Sequence, residues 1–106
     1  DADGYLLITP ANLGYMSGAL KHFFDTTYYP SLGSTGGRPY GLLVHGNNDV
    51  DGAVAGVERI VTGLAWRQVA HPVKAIGDIT AEVRTACWEL GATVAVTVQT
   101  DSADRG

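Results

Sequence analysis

Residues 4–25 read GYLLITPANLGYMSGALKHFFD, and this stretch decides the fold. Residues 4–9 form a continuous apolar run of strand length, the pattern of a strand covered on both faces. The run stops at Thr9-Pro10, where proline removes a ladder donor and biases Thr9 away from helical angles. After a loop over residues 11–16, apolar side chains recur at Met16, Ala19, Leu20, Phe23, Phe24 and Thr27, while Lys21, His22 and Asp25 take the other face. Ser17 is placed to cap this helix, its hydroxyl accepting an early helical amide.

The same alternation continues outward. A small-residue loop, residues 31–37, leads to a second strand over residues 40–45 that stops at Gly46-Asn47-Asn48-Asp49. A second helix starts near Asp51, with Ala53, Val54, Val57, Ile60, Val61 and Leu64 on one face and Gly63 where it should end. Residues 68–76 are weaker, because His71-Pro72 interrupts two short apolar runs, and read as a short edge strand. Thr80 caps a third helix through about Val96, with Val83, Cys87, Leu90 and Val94 on one face, and residues 101–106 form a polar, frayed tail. Strand, helix, strand, helix, strand, helix in one domain argues an α/β fold with a parallel sheet of three strands.

Composition narrows the function classes. The 106 residues carry 7 Lys and Arg against 11 Asp and Glu, a net charge of -4, with the basic residues scattered. Such a surface offers no field for nucleic acid. No apolar run reaches the length of a membrane span, and the start lacks a basic signal-peptide segment, so a cytoplasmic protein is the default expectation. The single cysteine, Cys87, reads as a small apolar helix residue and permits no intrachain disulfide. His22, His45 and His71 lack the spacing of a zinc site.

In an open parallel sheet, ligands sit beyond the carboxyl ends of the strands, so the segments after Thr9 and after His45 are the candidate site. The first supplies amide donors, a glycine, an aromatic and a methionine beside a helix start, and the second supplies polar edges on a flexible backbone. The loop Gly33-Ser34-Thr35-Gly36-Gly37 looks like a phosphate cradle but precedes a strand instead of opening a helix, which argues against that role. Trp66, Phe23 and Phe24 are assigned to the core, and Tyr28-Tyr29 to the sheet edge or an interface.

The run from Pro10 to Asp25, with its Thr-Pro strand end, Gly- and Met-containing loop and Leu20-Lys21 in the helix, resembles the flavin loop and following helix of flavodoxin-like NAD(P)H-dependent FMN and quinone reductases. The likeness extends from about Ala2 to about Leu90. It implies a flavodoxin-like three-layer sandwich, a parallel sheet with helices on both faces, of which residues 1–106 would be a partial domain covering about the last three strand-helix units. In the sheet order 2-1-3-4-5 these strands would be the third to fifth, and the segment that holds the FMN phosphate would lie outside these residues.

The resemblance also implies a site. Pro10, Ala11, Asn12, Leu13, Gly14, Tyr15 and Met16 would wrap the ribityl chain and ring of FMN, with Asn12 and Tyr15 as side-chain contacts. His45, Gly46, Asn47 and Asn48 would approach the pyrimidine edge, where donors stabilise the charge of reduced flavin. The implied activity is electron transfer from NAD(P)H through FMN to a quinone, flavin or similar small-molecule acceptor, in a possible homodimer or homotetramer. The alternatives are a flavodoxin-type carrier without NAD(P)H oxidation, or a fragment without tight flavin binding. With half of such a sheet absent, the edge of the first strand is expected to be unpaired and apolar, open to strand addition or aggregation.

Overall fold

The computed structural model describes residues 3–11, 16–47 and 49–105, with side chains to Asp101. Its elements are β1 (Tyr5–Pro10), α1 (Gly18–Ser31), β2 (Pro39–Gly46), α2 (Asp51–Gly63), β3 (Arg67–Gln68), β4 (Val73–Ile76) and α3 (Ala81–Arg105). All strand pairings are parallel, with β2 central, β1 on one side and β3 and β4 on the other. The expected edge strand is thus two short pieces. Pro39 pairs with Arg67 and Leu43 with Val73, so two extra residues bulge out around His71-Pro72.

Side-chain alternation along β2 sets the layers. Tyr40, Leu42 and Val44 point into the main core with Phe24 of α1 and Val54, Val57 and Val61 of α2. On the opposite face, a Cβ on Gly41 would lie 2.8 Å from Leu90 and 3.1 Å from Val94 of α3, so this glycine lets α3 sit close on the sheet. The architecture is an α/β sandwich with a parallel sheet between helices, compatible with a flavodoxin-like arrangement.

Three expectations need correction. β1 is not covered on both faces: Leu7 and Thr9 are buried, but Leu6 and Ile8 are 40% and 56% exposed. A parallel sheet buries both faces only where helices flank both, and α3 lies chiefly over β2. Among the described residues β1 pairs with β2 alone, so its other edge is unpaired, and it carries no charged residue.

Phe23 is the second correction. It is 41% exposed whereas Phe24 is 1% exposed, because the inward stripe of α1 runs through Leu20, Phe24 and Tyr28 at four-residue spacing, and Phe23 lies about 100° round the helix from Phe24. Third, α3 continues to Arg105 instead of ending near Val96. Val94 and Val98, four apart, face the sheet while Val96 is exposed, so helical packing overrides the alternation of valines. An ion pair from Arg67 to Asp101, 2.6 Å, ties the far part of that helix to β3.

Trp66 anchors the main core as expected. It stacks on Tyr5 with ring centroids 3.9 Å apart and an interplanar angle of 9°. Its indole N–H donates to the buried Thr35 hydroxyl at 2.8 Å. That bond satisfies the one polar atom of the ring inside an apolar layer.

Candidate functional site

Because the strands are parallel, the carboxyl ends of β1, β2 and β4 share one rim of the sheet: Pro10 stands opposite His45, and Gly46 opposite Ile76. The β2 end acts as a hub for its neighbours. Its His45 carbonyl accepts the Ala11 amide at 2.8 Å, and its Gly46 carbonyl accepts the Gly77 amide at 2.8 Å. The His45 ring adds a third tie, with Nε2 2.6 Å from the Gly77 carbonyl. Since a carbonyl only accepts, Nε2 carries the proton.

Gly46 allows this convergence. A Cβ there would lie 2.9 Å from Val50 and 3.2 Å from the Ala11 side chain, so the bare glycine lets Val50 and the first loop pack close on the β2 end. At the other end of that loop, the fully buried Thr9 hydroxyl accepts the Ser17 amide at 2.8 Å. Ser17 in turn caps α1, its Oγ accepting the Leu20 amide at 3.1 Å, as the sequence predicts.

The site residues named from sequence divide as follows. Pro10 is exposed, Ala11 is half-buried, and both lie at the rim beside His45, Gly46 and Asn47, of which Asn47 is exposed. Met16 is different, because its side chain is buried in the main core and is closed to a ligand. Asn12, Leu13, Gly14, Tyr15 and Asn48 lie outside the described residues. Sequence reading missed Thr9 and Gly77. A hydroxyl residue closing an apolar run before proline was the visible signal for Thr9, while Gly77 signalled only a turn.

Beyond β2, Asp49 Oδ1 accepts the Asp51 amide at 2.9 Å at the start of α2. Asp51 itself pairs with Lys74 of β4 at 2.8 Å. That hydrogen bond, followed by the attraction of the same carboxylate, raises the Lys74 pKa. Acidic groups at a helix N-terminus are favoured there by the helix dipole.

The loop Gly33–Gly37 leads from α1 into β2 and opens no helix. The amides of Ser34 and Thr35 donate to the Ser31 carbonyl, and that of Gly37 to Ala65, so three of its donors are consumed internally. A groove of about 270 Å³ runs between α1 and α2, lined by Phe24, Tyr28, Arg59 and Ile60 among others, away from the rim. Among the described residues, no group of three or more His, Cys, Asp and Glu side chains is arranged to hold a metal ion. No described helix is long and apolar enough to cross a membrane.

No protein-family model matches this chain, and no curated protein does. The functional reading therefore rests on the rim and on the residues that form it.

Proposed function

We propose that this chain forms the ring side of an FMN site in an NAD(P)H-dependent flavin or quinone reductase. The supporting observation is that the β2 end, at His45 and Gly46, bonds directly to the β1 and β4 loops, so segments distant in sequence share one rim. Such a convergence at strand carboxyl ends is where open α/β sheets take ligands. The glycine at position 46, which leaves room for the approach of Ala11, and the exposed Asn47 beside it suit a planar ligand that needs backbone and amide donors.

FMN would supply the hydride-accepting atom, with NAD(P)H as donor and a small quinone or flavin as acceptor. The chain's contribution is binding and orientation. Pro10, Ala11 and the backbone of Met16 would border the ring on one side, and Gly46 and Asn47 would direct donors to its polar edge. Residues 12–15 and Asn48 would complete these two segments.

The test is a titration of FMN with the full-length protein, phosphate-holding segment included, followed by flavin fluorescence and visible absorption, and then by NAD(P)H consumption with a quinone present. Quenched fluorescence and shifted bands with NAD(P)H turnover are expected. Free-flavin spectra at saturating protein would reject the FMN site, and binding without NAD(P)H oxidation would reject the reductase in favour of an electron carrier.

A further inference from the structure

We infer that His45 is a positioning residue: its imidazole is committed to the β4–α3 loop and holds residues 77–80 against the end of β2 as a third wall of the rim. Three observations converge on this assignment. The Nε2–Gly77 carbonyl distance of 2.6 Å is short for an N–H···O bond. Gly77 is bonded at both its polar atoms, because its amide donates to the Gly46 carbonyl at 2.8 Å. Its φ of +86° lies in the left-handed region that glycine enters without strain, so the chain can turn at Gly77 to meet the ring.

With Nε2 occupied, the ring has no second N–H to offer a ligand in its neutral form, because Nδ1 is then an acceptor. His45 thus acts on the site through Gly77. The loop it holds carries Asp78 and Ile79, both exposed, and follows the exposed Ile76 at the end of β4. For what this wall encloses, the inference rests on the flavin-site reading, while the tie itself stands on geometry.

The test uses the whole chain. Long-range proton–nitrogen correlation spectra, at a pH where the ring is neutral, are expected to show His45 protonated at Nε2 and bare at Nδ1. His45→Asn, whose amide reaches only as far as Nδ1, should speed hydrogen exchange at the Gly77 amide about tenfold, whereas His45→Gln, whose amide reaches the position of Nε2, should restore the slower exchange. Added FMN should bind the Gln variant more tightly than the Asn variant. The opposite tautomer, or equal exchange in the Asn variant and the wild type, would overturn the inference. If the wild type leaves the flavin spectrum unchanged, the proposed function fails while the tautomer and exchange results still decide the role of His45.

Discussion

The hydroxyl of Thr9, fully buried at the end of β1, accepts the backbone amide of Ser17 at 2.8 Å. That one bond pins together the two ends of the segment between β1 and α1. It also completes a chain of caps, because Ser17 Oγ takes the Leu20 amide and the Ser17 carbonyl takes the Lys21 amide.

Thr9→Val keeps the shape of the side chain but leaves the Ser17 amide without this acceptor, and is expected to cost about 1–2 kcal/mol. Thr9→Ser keeps the oxygen and should cost less. Urea unfolding checks both: the midpoint should fall for Val with little change in slope, and equal midpoints for Val and wild type would remove the bond from the account.

Gly46→Ala forces the Cβ against Val50 and Ala11, and Val50 is buried with a stiff branched side chain. The two loops must then separate, and a loss of about 1–3 kcal/mol is expected. A melting temperature lowered by several degrees, read by circular dichroism, is the expected result. FMN binding should weaken in the same variant.

The end of α2 yields a pair of opposite substitutions. Ala65, not Gly63, occupies the left-handed position, at φ 61°, and closes the helix as its amide donates to Thr62 and that of Trp66 donates to Val61. Gly63 is needed for packing, since a Cβ there would overlap the Tyr28 hydroxyl of α1. Ala65→Gly should therefore stabilise the protein by about 1 kcal/mol, and Gly63→Ala should destabilise it. Chemical denaturation of the two variants would show shifts of opposite sign, and a stabilising Gly63→Ala would refute the packing role.

Thr35→Val removes the acceptor of the Trp66 indole N–H in a dry layer, leaving a buried donor unsatisfied at about 1–3 kcal/mol. Tryptophan emission should report changed surroundings at Trp66, against the constant background of the exposed Trp88.

Alkaline pH should weaken the fold. Burial, and then the nearby Glu58, raise the Tyr40 pKa above its ordinary 10.0, and the Asp51 hydrogen bond raises that of Lys74 above 10.5. In both cases the folded state holds a proton that the unfolded state releases first. Stability is therefore fully present below pH 10 and falls as pH rises through the folded-state values. Urea midpoints measured across this range should decline, and Tyr40→Phe should decline less steeply.

Much of the fold was legible because periodicity is a local property. The alternation of strands and helices, the Ser17 and Thr80 caps, the core faces of β2 and α2, and the inward Trp66 all follow from spacing within about a dozen residues. Errors arose where a neighbour decides. Phe23 and Phe24 are both apolar, and only the docking direction of α1 selects Phe24. Gly63 is the last residue of α2, as its place in the sequence suggested, but the left-handed position falls on Ala65, and the missing side chain at Gly63 makes room for Tyr28 from another helix.

The candidate site was legible only in part, for the same reason. Strand ends and their polar loops could be named from the chain, so Pro10, His45 and Gly46 were found, but not the bonds that join them. The order of residues by itself determined an α/β layering with strands closing at Thr9 and His45, each within one residue of the observed end. Only the tertiary structure decided that Leu6 and Ile8 face outward, that the Met16 side chain joins the core, and that the His45 ring is held by Gly77. Each of these depends on which surfaces meet across the sheet, a distance that no local pattern of side chains encodes.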